Sequence, residues 1–382
     1  MVEDGGIKCK TEVSEQNRKV LYMPRVSVVM ASYNHERYVA QAVESVLNQT
    51  YNDFEFIITD DASSDKTVAE IKQFRDPRIR LFCFEKNQGQ FAVINHCLDK
   101  ANGEYIAIIN SDDIFLPDKL EKQARFLDEH PEIGAVFGQA RIIDDKGNDH
   151  KRKKNSHHTI FIQPNRTRFE WLNYFFYKGN CLCHPSVLIR KKCHEVIGYY
   201  NERFAQIADI DMWIRLCMKY EIYVMPEKIV EFRIHGANTS AKTASSMKRW
   251  VWEWRQILDN YLNIKSVEFL HKVFPDARQY GDDIDDDLIP FILAMIAINT
   301  VQRRQQIYRA FAIDTIYRML GDKNTAAKLA KRFNFIYSDF IKLTGQHDVF
   351  SFVRVKELQS ILRNPLRAVI SSITGRGSKG KV

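Results

Sequence analysis

Four short apolar runs, separated by segments with helical spacing, constrain the fold of this chain most. Val26-Ser27-Val28-Val29-Met30-Ala31 lacks the polar alternation of a half-exposed strand and reads as a fully buried parallel strand. A helix follows, with Tyr38, Ala42, Val43, Val46 and Leu47 on one stripe. The second strand covers Phe54 to Thr59 and runs into Asp60-Asp61, and Ser63 to Thr67 opens another helix. Ile79 to Phe84 is the third strand. A helix around Phe91 to Leu98 leads to the fourth, Tyr105 to Ile109. This β-α-β-α order predicts an α/β fold built on an open, mostly parallel sheet flanked by helices.

Ligands of such sheets bind at the carboxyl ends of the strands. Three polar clusters sit at those ends: Ser32-Tyr33-Asn34, Asp60-Asp61 and Asn110-Ser111-Asp112-Asp113. Pro117 follows the last, as suits the first turn of a helix. Two adjacent carboxylates at the end of a buried strand repel each other and lose solvation. A divalent cation between them and a diphosphate would remove that cost. The alternative is a solvated acidic loop capping the next helix.

The run from Val26 to about Pro131 resembles the nucleotide-binding half of family 2 glycosyltransferases, which have the GT-A fold, a Rossmann-like sheet. The resemblance rests on Val26-Ser27-Val28-Val29 with Ser32-Tyr33-Asn34, on Ser45 to Thr50, and on Asp60-Asp61-Ala62-Ser63-Ser64-Asp65. It continues through Asn87-Gln88-Gly89, Asn95, Ala101 to Tyr105 and Ser111-Asp112-Asp113. A weaker similarity carries His184-Pro185-Ser186, Asp209 to Arg215 and Phe232-Arg233-Ile234-His235 as far as about Ser240. Three positions depart from the family pattern. Asn110 stands where an acid is usual, Ala31-Ser32 replaces Pro-Thr, and Ala208-Asp209 replaces Glu-Asp.

The resemblance implies an inverting, metal-dependent transferase that takes a nucleotide-sugar donor, uridine-linked, to a hydroxyl of a glycan or lipid-linked glycan in surface polysaccharide synthesis. Ser32, Tyr33, Asp61, Asn95 and Asp112 are the expected donor-binding residues. Tyr33 offers an aromatic face to the base, or packs under its loop. Asp61 accepts the N3 proton of uracil, or caps the helix that begins near Ser63. In the family the first acid, Asp112 here, contacts ribose, and the second, Asp113, binds Mn²⁺ or Mg²⁺ as a Lewis acid on the leaving diphosphate. His235 completes that metal site, or is structural. Asp209 is the implied catalytic base. It opens a run that reads as a helix start, so capping is its alternative. Asp211 is the runner-up and reads as structural.

Several features read more plainly. Cys181-x-Cys183-His184 with Cys193-His194 lacks the spacing of paired zinc ligands. The acids Asp282 to Asp287, apart from Ile284, precede the apolar run from Leu288 and suit a helix N-terminus. Lys151-Arg152-Lys153-Lys154 and His157-His158 form a solvated basic loop, or face an anionic acceptor.

The chain divides into a polar extension (1–23), a glycosyltransferase domain (24–244, with a donor half to about 137 and an acceptor half from about 138), a helical region (245–374) and a basic tail (375–382). Seven cysteines give no disulfide framework, which suits a reducing cytoplasm. The first 23 residues carry no secretory pattern. Pro290 to Val301 is too short to span a bilayer. With a net charge of +8, the basic stretch from Phe352 suits peripheral contact with an anionic membrane, while an oligomerisation helix making a homo-oligomer is the alternative. Nucleic acid is not an expected partner. The rival functions are a silent scaffold that keeps the fold, a sugar-phosphate nucleotidyltransferase and a dehydrogenase. The nucleotidyltransferase would want a glycine-rich phosphate loop after the first strand, and the dehydrogenase a Gly-x-Gly-x-x-Gly. Ala31-Ser32-Tyr33-Asn34 is neither.

Overall fold

A computed structural model describes residues 23–149, 159–236, 243–300 and 305–349. The basic loop at 151–158 and the stretch from Phe352 onward lie outside the described residues. The strands in chain order are β1 (Val26–Ser32), β2 (Phe54–Asp60), β3 (Ile79–Cys83), β4 (Tyr105–Asn110), β5 (Ile114–Phe115), β6 (Ile133–Ile143), β7 (Leu188–Arg190) and β8 (Glu221–Arg233). Between them lie α1 (Val39–Leu47), α2 (Thr67–Ile71), α3 (Gln90–Lys100), α4 (Lys119–Glu129), α5 (Arg168–Lys178), α6 (Lys191–Ile197) and α7 (Ala208–Cys217). Then come α8 (Ala244–Leu258), α9 (Val267–Val273), α10 (Ile289–Ile298), α11 (Gln305–Leu320), α12 (Lys323–Phe333) and α13 (Tyr337–Gln346).

All eight strands form one sheet in the order β3-β2-β1-β4-β7-β6-β8-β5. The pairs β1–β2, β1–β4, β2–β3 and β6–β8 are parallel. The short β7 is antiparallel to both β4 and β6. Two reversals cancel, so β6 and β8 run in the direction of β4. The carboxyl end of β8 therefore reaches the same sheet edge as those of β1, β2 and β4. That edge carries the three polar clusters.

β1, β2 and β4 are almost wholly buried because both of their faces are covered, whereas the edge strand β3 is only partly buried. Side chains alternate between faces. Val29, Ile57, Ile106 and Ile108 join the core shared with α3, α5 and α7. Val28, Phe56, Ile58, Ala107 and Ile109 join the core under α1 and α4. The first of these cores continues without a break through Trp254, Ile257, Phe291, Tyr308 and Phe311 of the C-terminal helices. At Gly103 the chain passes so close to β1 that a Cβ would stand 2.5 Å from the Ser27 nitrogen. Only glycine fits such an approach.

Asp286 and Asp287 form the first turn of a 3-10 helix, Asp286–Leu288, that runs directly into α10, so acids do stand at a helix N-terminus. Asp283 pairs with Arg332 at 2.5 Å, and Lys328 pairs with Asp285 and Asp287 at 3.0 and 2.6 Å. These pairs also tie the turn before α10 to α12. Among the described residues no helix is long and apolar enough to cross a membrane.

Candidate active site

A cleft of about 550 Å³ opens at the carboxyl edge of β1, β2 and β4. Its size suits a nucleotide sugar. Ser32, Tyr33, Asp61 and Asp112 line one side, and His184, Glu202, Gln206 and Asp209 line the other.

The two strand-end acids after β2 divide their work. Asp60 accepts hydrogen bonds from the Ser32 hydroxyl (2.8 Å) and from Ser63 N (2.8 Å) and Oγ (2.6 Å). Asp60 thus closes the turn at Ser63, while Asp65 Oδ1 accepts from Thr67 N where α2 begins, and Asp61 caps neither. Asp61 points the other way. Its two oxygens accept from Gln88 N (2.7 Å) and Gly89 N (2.9 Å), fixing the loop before α3. Gly89 has φ +94°, which glycine alone adopts without strain. Tyr33 stands at the rim with 45% of its surface exposed, so its ring is not used in packing.

Asp112 and Asp113 also face apart. Asp113 is buried, and its oxygens accept from Arg233 N and Asn110 Nδ2, both at 2.8 Å. Burial, and then the neighbouring Asp112, push its carboxyl well above the ordinary range. The cleft lining includes Asp112 and not Asp113. Both Asp113 oxygens thus hold protein hydrogen bonds, and of the two acids it is Asp112 that faces the cleft. Arg233 is buried as well. Its Nε donates to the Asp112 carbonyl at 2.8 Å, and its Nη2 donates to Gln41 at 2.7 Å. Asp113→Asn is expected to cost about 1–3 kcal/mol in urea unfolding, because the amide leaves one buried donor unmatched.

Asp112 turns toward His235, whose Nε2 lies 2.9 Å from its Oδ2. His35 completes the group: ligand atoms of His35, Asp112 and His235 all lie within 4.8 Å of one another. It is the one such cluster found among the described residues, so the cysteines and histidines near 181–194 form none. His35 was not singled out from sequence. Its signal is an imidazole directly after Tyr33-Asn34, but its partners are 77 and 200 residues away. Burial holds its ring below the ordinary histidine value, so it is neutral at pH 7.

Asn95 lies away from the cleft lining. It is buried and binds Tyr200 O (2.9 Å), Tyr200 N (3.0 Å) and the Glu202 carboxylate (2.8 Å). It ties α3 to the loop before α7.

Asp209 lies in the first turn of α7 and faces the cleft. Its Oδ2 accepts from Asn180 Nδ2 at 2.6 Å, and its Oδ1 from Ile210 N at 2.8 Å. Burial pushes its carboxyl up to about 6, against the hydrogen bonds that favour the charged form. A carboxylate titrating there can take a proton near neutral pH. Asp211 instead pairs with Arg215 at 2.8 Å and accepts from Asn260 at 2.8 Å, a structural arrangement. Two further groups on this wall were missed in the sequence. Asn180 orients Asp209. His184, held neutral by burial at a value of about 4, meets Tyr200 Oη at 3.0 Å.

The wall itself hangs from α8. Glu253 is buried and accepts from three successive backbone N–H groups, those of Ala205 (2.8 Å), Gln206 (3.1 Å) and Ile207 (3.1 Å). These residues lead directly into α7. Glu253→Ala is expected to cost about 3 kcal/mol in urea unfolding, since three donors lose a charged acceptor. Limited proteolysis should then cut first in the 202–207 loop.

Comparison with known proteins agrees with this geometry. The profile of the family described as glycosyl transferase family 2 matches residues 27–198. An uncharacterized glycosyltransferase of Methanocaldococcus jannaschii is 35% identical over 216 residues, 55% of this chain and 71% of the relative. The O-antigen biosynthesis glycosyltransferase WbnJ of Escherichia coli is 29% identical, over 56% of this chain and 81% of its own length. Among solved structures, S. aureus TarS in complex with UDP-GlcNAc superposes with a TM-score of 0.54 at 19% identity. That match covers 82% of this chain and 93% of the other, and it shows a shared fold.

Proposed function

The chain belongs to glycosyl transferase family 2, and on that premise we propose that its cleft transfers a sugar from a uridine diphosphate sugar to a glycan hydroxyl, lipid-linked or soluble, with inversion at the anomeric carbon. One observation carries this reading. A single cleft joins an aromatic face, two strand-end acids and, across from them, a carboxyl raised to about 6.

Tyr33 stacks on the base, since any π face serves. Asp61 reads uracil through its N3–H, with carboxylate lone pairs beyond those given to Gln88 and Gly89. Asp209 takes the proton of the acceptor hydroxyl as that oxygen attacks, and Asn180 holds the carboxylate in place. Attack from the wall opposite the diphosphate inverts the configuration.

The donor chemistry also fits a divalent cation. An imidazole nitrogen and a carboxylate oxygen 2.9 Å apart match the roughly 3 Å between adjacent ligand atoms of an ion with bonds of about 2.1 Å. The metal role expected of Asp113 passes to Asp112, with His235. When bound, the ion would supply Lewis-acid charge for the departing diphosphate. Calorimetry with UDP, CDP and GDP, each with and without Mn²⁺, tests the donor site. UDP should bind, and bind better with the ion. Equal binding of all three nucleotides would remove Asp61 as the base reader.

A further inference from the structure

Resting on that reading of the cleft, we infer that His35 is a third protein ligand of the cation, and that it makes the site select Mn²⁺-type ions over Mg²⁺. His35 lies in the loop after β1, on the side of the cleft that takes the nucleoside. Its ring nevertheless turns toward the group at the ends of β4 and β8. It meets His235 edge to face with ring centroids 5.5 Å apart, and its ligand atom lies within 4.8 Å of those of both Asp112 and His235.

A hydroxyl orients the ring. His35 Nδ1 lies 2.8 Å from Ser111 Oγ. With the hydroxyl accepting from Nδ1–H, the Nε2 lone pair is left for an ion. Metal-binding histidines characteristically give their second nitrogen to such a partner, which fixes tautomer and angle. Ser111 adjoins Asp112, so one short segment supplies both a ligand and the group that aims another. The backbone of His35 is held separately, by Thr67 Oγ1 at 2.8 Å. Its fold does not depend on the ring.

The ligand set decides the ion. One carboxylate with diphosphate oxygens would suit Mg²⁺, a hard cation that takes oxygen and keeps its waters. Two imidazoles change the balance. They suit first-row transition ions, whose affinities for such a site rise from Mn²⁺ through Co²⁺ and Ni²⁺. A consequence follows for the donor. The ion would join the nucleoside-side loop to the loop after β8, so metal and nucleotide should bind cooperatively.

The test uses the full chain with UDP and Mn²⁺. Pulsed electron paramagnetic resonance should detect two inequivalent ¹⁴N couplings to Mn²⁺. His35→Asn should leave one, and so should His235→Asn. By calorimetry with UDP present, the wild type should prefer Mn²⁺ to Mg²⁺ by at least about tenfold. His35→Asn should lose about that factor for Mn²⁺ and little for Mg²⁺. Ser111→Ala should keep both couplings and bind Mn²⁺ about tenfold more weakly, on the scale of second-sphere losses. Two couplings persisting in His35→Asn would overturn the inference, as would equal affinity of the wild type for Mn²⁺ and Mg²⁺. If UDP and Mn²⁺ bind together with a single coupling, the donor site stands and His35 falls alone. If no metal promotes UDP binding, the functional reading of the metal falls with it.

Discussion

Asp209→Asn is expected to fold, to bind UDP with unchanged affinity, and to lose transfer to acceptor by about 10²–10⁴-fold, the usual contribution of a general base. Asp209 is held by Asn180 and Ile210 and makes no hydrogen bond to Asp61 or Asp112, so donor binding should not depend on its charge. In the wild type the rate should fall as pH drops through about 6, because the protonated carboxyl accepts no proton. Stability should move the other way. A carboxyl titrating near 6 when folded, against 3.8 ordinarily, binds its proton better in the native state. Protonation therefore favours folding, fully so below the unfolded value and decreasingly as pH rises through 6. Above that, holding the charge costs up to about 3 kcal/mol. Asn carries no such cost but leaves one of the donors Asn180 Nδ2 and Ile210 N unmatched, about 1–3 kcal/mol, so the two terms should largely offset in urea unfolding at pH 8. Asp211→Asn is the contrasting case. It breaks a buried pair with Arg215 and should destabilise without a specific loss of transfer. Equal transfer rates for wild type and Asp209→Asn at saturating donor would remove Asp209 as the base.

Asp112→Asn carries the second large effect. Metal-dependent UDP affinity should fall by about 10²-fold or more, since truncating one partner of a charged, buried contact costs about 2–5 kcal/mol. The fold should survive. Asp112 faces the cleft, and the sheet-side bonds of this segment belong to Asp113 and to the Asp112 carbonyl. The adjacent pair thus gives different results: Asp112→Asn loses ligand and keeps stability, and Asp113→Asn loses stability. Calorimetry with UDP and Mn²⁺, paired with urea unfolding, separates them.

The contrast shows where sequence reading reached its limit. The strands β1, β2 and β4 were legible because doubly buried parallel strands leave largely apolar runs. The strand-end clusters were legible because polar residues replace those runs at the strand ends, although Ser32, Asp60, Asp61, Asp112 and Asp113 are themselves buried. The GT-A fold follows from the same segments. What sequence could not say is which of two neighbouring acids faces the cleft. Arg233, 120 residues after Asp113, decides that by binding Asp113 through its backbone N–H. Nor could sequence say that Asn95 is surrounded by Tyr200 and Glu202, more than 100 residues away. The sequence could not tell what Asp60 does, because its bonds to Ser63 depend on turn geometry, here with Ala62 at φ +61°. The second half of the sheet was hidden for another reason. β7 has three residues, and β8 is interrupted by exposed Pro226-Glu227-Lys228 where its pairing with β6 shifts register. Neither carries a clean period. Glu253 was invisible because the loop it holds lies 46 to 48 residues away.

The central claim is inverting transfer from a uridine diphosphate sugar at this cleft. The most direct measurement incubates the full chain and Mn²⁺ with UDP-, GDP-, dTDP- and CDP-sugars, and follows the released sugar by NMR at early times. Slow hydrolysis of a uridine donor is expected, with water in place of the acceptor and the first anomer formed inverted relative to the donor. Release of the same anomer as the donor, or turnover confined to a donor other than a uridine one, would contradict the account.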